Sequence, residues 1–344
     1  MPLDFLRIRP LSGIPRSNMP SSNMSKTNPQ PIRRIAIIGF GEAGGIFGRD
    51  FVRQGIDVSI FDILLNSKRH RQQMLSKTRA CGVTPANNLN DCVRDAQLVI
   101  SAVTASSSLD VAREAGALLC APQIFLDINS VSPKTKRKAA KCIEKRTAKN
   151  NRAYFVEAAV MGPVPGQRLK VPMLLGGTHA VEVSGRLQSL GMNATALSDE
   201  IGVASAVKMC RSVMMKGIEA LAVECLFAAH RFGADDSVLE SLAATYPGLD
   251  WKGRLPDYLI SRVAEHGLRR AAEMREVASA LRSIGITPNM ALATAARQEQ
   301  LVREMAARGI RFQPAEVFSW RSPRRCPGVQ TGSPSQKKLL NNPA

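Results

Sequence analysis

Two features of the sequence are suited to chemistry: a lysine in an apolar helical stretch, and a glycine turn behind a buried strand. Lys208 lies where apolar residues recur at helical spacing, and burial lowers the pKa of an amine toward the range of a general base. A lysine that reaches solvent from the same helix is the alternative. The turn Gly39-x-Gly41-x-x-Gly44 follows the apolar run 35–38 and opens a helical repeat. This strand–turn–helix context favours a phosphate site over a turn without a ligand.

The glycine turn has the spacing of a dinucleotide-binding site. Gly39 permits a tight turn, Gly41 lets the backbone approach a pyrophosphate, and Gly44 lets the helix pack near the strand. The helix N-terminus adds free N–H groups and a partial positive charge. A second strand ends at Asp62, where an acid can accept both ribose hydroxyls of NAD. The predicted cofactor-binding residues are Gly39, Phe40, Gly41, Glu42, Ala43, Gly44, Asp62 and Thr104.

The charges behind Asp62 bear on the choice between NAD and NADP. Lys68, Arg69 and Arg71 offer positive charge to the 2′-phosphate of NADP. Asp62 would repel that phosphate, so the sequence favours NAD slightly while leaving NADP open.

A polar loop, Thr104 to Ser108, follows the predicted strand 96–103. Open α/β sheets bind ligands at the carboxyl ends of their strands, so Thr104 is expected near the cofactor. Ser107 or Ser108 can cap the next helix from the same loop, and the two roles are compatible.

Composition excludes several classes of protein. The chain has 344 residues, of which 44% are hydrophobic, so it can bury a sizeable core. A net charge of +19 suggests nucleic acid, but aromatic residues make up only 5% and the basic residues are scattered, so nucleic-acid binding is not expected. No apolar run is long enough to span a membrane. The seven cysteines and four histidines show no metal-binding spacing, which predicts no metal and reduced, buried thiols in the cytoplasm.

The order of strand and helix patterns predicts the domain organisation. Strands and helices alternate up to residue 198, which predicts an α/β Rossmann domain with a doubly wound, mostly parallel sheet. Within it, residues 66–77 are predicted as a helix, and the basic run 134–149 as a solvated helix face. From residue 201 only helices follow, at 203–232, 235–245, 255–283 and 287–308, which predicts an all-α domain around a long central helix. The predicted limits are 31–198 and 199–318.

The two ends of the chain have a different composition. Residues 1–30 are rich in Pro, Ser and Asn, and are predicted as a disordered leader or an extension before a true start at Met24. A mitochondrial presequence is the alternative, because the leader is rich in arginine and poor in acids. Residues 319–344 are predicted as a disordered tail.

This layout resembles the β-hydroxyacid dehydrogenase superfamily, which includes 3-hydroxyisobutyrate and 6-phosphogluconate dehydrogenases. The resemblance covers roughly residues 33–315, and the C-terminal half is similar to the DUF1932 helical domain through the stretches 208–221 and 266–274. It implies a lysine general acid/base at Lys208, within the run 202–208. It also implies that the run 127–133 forms a substrate loop in which Ser130 touches a carboxylate.

Three departures from the family pattern concern the substrate. The turn at Met161-Gly162 lacks the family's hydroxyl, Arg211 and Ser212 stand where the family has asparagine, and Met215 replaces the acid of the decarboxylating enzymes. Arg211 can clamp a carboxylate or phosphate through two parallel hydrogen bonds. Arg269, Arg270 and Glu273 form either an anion pocket or ion pairs on a helix surface. The predicted substrate-binding residues are Asn129, Ser130, Gly162, Arg211 and Ser212.

Together these features predict an NAD(P)-dependent oxidoreductase. It would transfer hydride between a nicotinamide and a small hydroxy acid or its keto or semialdehyde partner. An imine or keto reductase-like relative and a non-catalytic NAD(P) sensor are the alternatives. The long apolar helix predicts a homodimer through the C-terminal helices, because a monomer rarely exposes so much apolar surface.

Overall fold

The structure is a computed structural model that describes residues 31–144, 153–313 and 318–322. The predicted leader, and the part of the predicted tail from residue 323 onward, lie outside these residues. No helix in the described ranges is long and apolar enough to cross a membrane.

An eight-stranded sheet forms the N-terminal half of the described chain, which confirms the predicted fold class. All neighbouring strands pair in parallel except β6 and β7, which pair antiparallel. The strands are β1 Arg34–Ile38, β2 Asp57–Phe61, β3 Thr84–Pro85, β4 Leu98–Ser101, β5 Ile124–Asp127, β6 Tyr154–Val160, β7 Met173–Gly176 and β8 Ala194–Ser198. Their order across the sheet is β3-β2-β1-β4-β5-β6-β7-β8, so strands are added to one side of β1 up to β3 and to its other side from β4 onward, and the strand order reverses between β1 and β4. Sheets of this kind bind ligands beside such a reversal.

Helices connect the strands and then form the whole C-terminal part. In the first part they are α1 Glu42–Arg53, α2 Arg71–Cys81, α3 Leu89–Val93, α4 Ser108–Gly116, α5 Pro133–Ile143, α6 Val164–Gln167 and α7 Ala180–Ser189. In the second part they are α8 Val203–Arg231, α9 Asp235–Thr245, α10 Leu255–Arg282 and α11 Asn289–Ala307. The helix predicted at 66–77 instead begins at Arg71. It is preceded by a 3₁₀ turn, Ile63–Asn66, that the Asp62 carboxylate caps through the Leu64 N–H.

Both faces of the sheet are buried. Along β1 the side chains alternate, so that Ile35 and Ile37 join one hydrophobic cluster while Ala36 and Ile38 join the other. A strand covered on both faces is apolar at every position, which explains the uninterrupted apolar run in the sequence.

The 29-residue helix α8 packs against α10, α11 and strand β6. Val223 and Leu226 are fully buried in one cluster with α10 residues, and Met209 lies in a second. One side of α8 stays exposed, with Met214 and Leu221 at 64% and 58% of full accessibility. The helix is therefore covered on part of its circumference within one chain.

A buried glutamate on β6 fixes the start of α8. The Oε1 of Glu157 accepts hydrogen bonds from the N–H groups of Gly202, at 2.7 Å, and Ala204, at 3.0 Å. Its Oε2 accepts from the Ser205 hydroxyl at 2.9 Å. The carboxylate satisfies donors that a helix N-terminus leaves free and adds a favourable charge there. The helix is thus anchored to the sheet at its first turn.

The six described cysteines are all free thiols. Cys81 and Cys92 are buried as predicted, whereas Cys210 and Cys225 are exposed on α8, so the predicted burial was wrong for these two. The apolar helical pattern around them predicted burial on every face of α8, but one face is uncovered. Cys326 lies outside the described residues.

Candidate active site

The glycine turn joins β1 to α1 at the carboxyl edge of the sheet. Gly39 has a φ of +90°, and a Cβ there would lie 2.5 Å from the carbonyl oxygen of Ala102. A Cβ on Gly44 would collide with the carbonyl oxygen of Gly39. A Cβ on Gly41 would meet no atom within 4 Å, so this residue faces open space at the N-terminus of α1. The turn therefore fits a diphosphate approaching Gly41.

Asp62 is held beside this turn. Its Oδ2 accepts a hydrogen bond from the Phe40 N–H at 2.7 Å, and its Oδ1 accepts from the Leu64 N–H at 2.9 Å. Each oxygen keeps a lone pair for a ribose hydroxyl. The Phe40 side chain is buried, Ala43 is partly buried, and Glu42 is exposed in the first turn of α1.

A lysine that the sequence did not single out also contacts the turn. The Nζ of Lys77, on α2, donates to the carbonyl oxygens of Phe40 at 2.5 Å and Gly41 at 2.7 Å. It places a positive charge beside the glycine turn. Its place in a polar helical stretch gave no signal that it would fold back onto the turn.

The loop after β4 is tied to the loop after β5. The amide oxygen of Asn129 accepts from the Val103 N–H at 2.7 Å, and its nitrogen donates to the hydroxyls of Ser101, at 2.9 Å, and Ser108, at 3.3 Å. Asn129 is 5% exposed, so it braces the two loops. Thr104 is exposed, and its hydroxyl lies within hydrogen-bonding distance of those of Ser106 and Ser107.

Ser107 occupies the residue before α4, as predicted, but no side chain caps that helix. The helix begins at Ser108, whose hydroxyl is instead used by Asn129.

Lys208 contacts Ser130 in the loop that follows β5. The Lys208 Nζ donates to the Ser130 Oγ at 2.7 Å, joining α8 to the loop after β5. Both residues line a cavity of about 30 Å³. The other lining residues are Asn129, Val131, Lys136, Ala158, Ala159, Ser205, Met209, Ser212, Lys216, Glu273, Glu276 and Val277.

The surroundings of Lys208 suit proton transfer. Burial, together with the positive charges of Lys136, Lys216 and Arg269, lowers the pKa of Lys208 to about 8, against the opposing effect of Glu273. An amine with this pKa is neutral in a useful fraction of molecules near pH 7 to 8 and can accept a proton.

Two further lysines in the cavity wall are held by carboxylates. Lys136, in the basic run predicted as solvated, is 1% exposed, and its Nζ lies 3.1 Å from Asp127 Oδ1. The Oδ2 of Asp127 has no hydrogen-bond partner in the described chain. Lys216 lies 2.6 Å from Glu273. Although burial opposes the change, Lys216 holds the pKa of Glu273 below its usual range.

The remaining predicted site residues lie outside this cavity, apart from Ser212. Ser212 lines it, one turn beyond Lys208. Arg211 does not, and by helical spacing it falls near Met214 on the exposed side of α8. Gly162 lies in the turn between β6 and α6, also outside the lining.

The two arginines of α10 that the sequence singled out have acidic partners. Arg269 pairs with Glu273 at 2.9 Å, while Arg270 pairs with the buried Glu219 on α8. The sequence left two roles open for Arg269, Arg270 and Glu273, an anion pocket or ion pairs on a helix surface. The structure shows ion pairs, and the pair between Arg270 and Glu219 is buried rather than on the surface.

Comparison with known proteins identifies the family of this chain. Residues 34–196 match the NAD binding domain of 6-phosphogluconate dehydrogenase, and residues 229–301 match the domain of unknown function DUF1932. An uncharacterized 28.5 kDa protein of Methanothermus fervidus is 30% identical over 75% of this chain and 94% of its own length. The chain belongs to the β-hydroxyacid dehydrogenase superfamily. Its members are NAD(P)-binding oxidoreductases, and this chain carries the DUF1932 domain in its helical part.

Three further proteins are similar to this chain. The 3-hydroxyisobutyrate dehydrogenase of Pseudomonas aeruginosa is 25% identical over 63% of this chain and 71% of its own length. The structure of a conserved hypothetical protein from Sinorhizobium meliloti is 37% identical, covers 81% of this chain and 91% of its own, and has a TM-score of 0.69. A conserved protein of unknown function, described as similar to 3-hydroxyacid dehydrogenases, is 32% identical with a TM-score of 0.64, over 78% of this chain and 97% of its own.

Across the described residues, no group of three or more His, Cys, Asp or Glu side chains is placed to hold a metal ion.

Proposed function

We propose that this β-hydroxyacid dehydrogenase homologue oxidises a small hydroxy acid, with Lys208 as the general base. The observation that carries the proposal is the 2.7 Å contact between Lys208 and Ser130, both of which line the cavity. Contacts between neighbouring residues link Ser130 to the glycine turn. Gly39 lies against Ala102 and Val103, the Val103 N–H bonds to Asn129, and the next residue is Ser130.

The proposed reaction needs one proton acceptor and one hydride acceptor. The neutral amine of Lys208 takes the hydroxyl proton while the C–H hydride leaves, so that the carbinol becomes a carbonyl. NAD(P)⁺ supplies the hydride acceptor when bound. Ser130 donates a hydrogen bond to the substrate carboxylate, and Ser212 orients the reacting oxygen. Arg211 takes no part in this proposed reaction, because it does not line the cavity.

The test is a comparison of Lys208→Met with the full-length wild type. We expect the variant to bind the cofactor normally but to lose about 10²- to 10⁴-fold in kcat/KM for hydroxy-acid oxidation, which is what one general base contributes. The assay follows absorbance of the reduced nicotinamide with 3-hydroxyisobutyrate and related acids. Lys252→Met is the control, since Lys252 is an exposed residue that pairs with Glu240.

Three outcomes separate the rival functions. Hydroxy-acid oxidation that survives Lys208→Met would rule out the lysine mechanism. Turnover of imines but not of hydroxy acids would favour an imine reductase. Cofactor binding without any hydride transfer would favour a sensor.

The cofactor of this reaction is proposed to be NAD. The position of Asp62, fixed by two backbone N–H groups beside the turn, supports this choice, because its charge opposes a 2′-phosphate. Lys68, Arg69 and Arg71 nearby are exposed and keep NADP as the competitor. Calorimetric titration with NADH and NADPH decides between them.

A homodimer through the C-terminal helices is proposed from the uncovered side of α8. Val207, Met214, Ile218 and Leu221 are exposed there at spacings that place them on one helix face. A second copy of the chain would cover this stripe. Leu221→Glu should then lower the mass measured by sedimentation to that of a monomer.

The free thiols support a reducing compartment, and we propose that the protein is cytoplasmic.

A further inference from the structure

The ammonium group of Lys77 is held at the glycine turn by three contacts. Its Nζ donates to the carbonyl oxygens of Phe40, at 2.5 Å, and Gly41, at 2.7 Å, and lies 5.1 Å from the centre of the Phe40 ring. That ring is fully buried, whereas Lys77 is partly buried and pairs with no carboxylate in the described parts of the chain. The positive charge of Lys77 therefore acts on the two carbonyl groups.

These carbonyl groups determine where the neighbouring N–H groups point. The peptide bonds that follow Phe40 and Gly41 are both trans. In a trans peptide the C=O and N–H bonds lie in one plane and point in opposite directions. Because the oxygens of Phe40 and Gly41 are turned toward Lys77, the N–H groups of Gly41 and Glu42 are turned away from it.

The N–H groups of Gly41 and Glu42 are free to bind a ligand. Neither donates a hydrogen bond within the described residues, and no side chain caps the start of α1. A Cβ on Gly41 would meet no atom within 4 Å, so the approach to the turn is open. Free N–H groups at a helix N-terminus are suited to a phosphate. Lys77 and a bound diphosphate would then lie on opposite sides of the same two peptide groups.

We propose that Lys77 is a positioning residue of the dinucleotide site, which directs the N–H groups of Gly41 and Glu42 at the diphosphate without touching it. This inference rests on the dinucleotide site of the proposed function and does not depend on the reaction at Lys208. NADH, NADPH and ADP-ribose share the diphosphate, so Lys77 should contribute equally to the binding of all three. A residue that acts on the ribose, as proposed for Asp62, would separate NADH from NADPH.

Calorimetric titration of the full chain with these three ligands tests the proposal. Lys77→Met nearly keeps the length of the side chain and removes the ammonium group. We expect it to weaken each ligand by about 10- to 100-fold, the range of a hydrogen bond to a charged group, and by the same factor for all three. Arg79→Met is the matched control, because Arg79 is an exposed cation on the same helix, and it should leave the three affinities unchanged.

Hydrogen exchange in the cofactor-free protein reports on the turn itself. The N–H groups of Phe40 and Gly45 are hydrogen-bonded, to Asp62 and to the Gly41 carbonyl oxygen. We expect both to be protected from exchange in the wild type and to exchange faster in Lys77→Met, as followed by mass spectrometry. A lysine that only attracted the diphosphate would leave this exchange unchanged.

A Lys77→Met variant with wild-type affinities would overturn the proposal, as would unequal losses for NADH and NADPH or unchanged exchange at the turn. Unprotected Phe40 and Gly45 amides in the wild type would also overturn it. Because that measurement needs no variant, a Lys77→Met protein that fails to fold does not remove the test. Failure of the proposed function is seen differently, as binding of NADH and NADPH without hydride transfer, whereas a wild type that binds none of the three ligands would overturn both.

Discussion

The pH dependence of hydride transfer is the most direct consequence of the charges around Lys208. With a pKa of about 8, roughly one Lys208 amine in eleven is neutral at pH 7. At the ordinary lysine pKa of about 10.4 the neutral fraction would be below about one in a thousand. We therefore expect kcat/KM for hydroxy-acid oxidation to rise about tenfold per pH unit below pH 8 and to level off above it.

Replacing Glu273 with Gln should move this profile in a known direction. Three cations, Lys136, Lys216 and Arg269, lower the pKa of Lys208, and Glu273 is the carboxylate that raises it. The variant removes this negative charge and leaves Lys216 and Arg269 without their shared partner. The pKa of Lys208 should fall further, so the rising limb should shift to lower pH by roughly 1 unit, the low end of what one nearby charge does.

The measurement is kcat/KM from pH 6 to 10 at saturating cofactor, for the wild type and the variant. Glu299→Gln is the matched control, because Glu299 pairs with Arg275 and Arg303 and does not act on Lys208. A lower melting temperature alone would reveal only a structural role for Glu273. A limb that stays in place or moves to higher pH would refute the electrostatic reasoning.

Three other predictions follow from the fold. Gly44→Ala should abolish NADH binding in calorimetry, because its Cβ would collide with the Gly39 carbonyl oxygen and displace the turn; unchanged affinity would contradict the proposed phosphate site. Glu157→Gln should reduce the free energy of unfolding by about 1 to 3 kcal/mol, measured by denaturant titration, because one of its oxygens becomes a donor facing donors at the start of α8. Asp62→Asn should weaken NADH more than NADPH; an equal loss for both would show that Asp62 only shapes the turn.

Much of the fold was predictable because its signals are local. The apolar run of β1, the glycine spacing and the acid at Asp62 lie within one strand–helix–strand unit. The helices 235–245 and 255–283 were predicted almost to the residue, since helical periodicity and prolines mark them. The helix after Asp62 was placed too early, because the Asp62 cap favours a 3₁₀ turn over an immediate α-helix.

The candidate site was only partly predictable. Lys208 and Ser130 were identified by their resemblance to family motifs, and their hydrogen bond joins residues far apart in the chain. Lys136 was interpreted as solvated, because a basic helical run is usually a surface. Its burial depends on Asp127, and that of Lys216 depends on Glu273. Such pairs are set by the packing of separate elements, and a single sequence does not show them.

The anchoring of α8 by Glu157 determines which parts of the site can move independently. The carboxylate joins the first turn of the helix to the sheet, and Lys208 follows within about two turns. We therefore expect the Lys208 amine to keep its distance from the glycine turn if α9, α10 and α11 shift. Glu273 and Glu276 lie on α10, which the Glu157 carboxylate does not anchor to the sheet. A movement of α10 away from α8 would therefore carry these two carboxylates away from Lys208, while Lys208 itself stayed in place. Substrate entry and release would then alter the electrostatic field at Lys208 without displacing it.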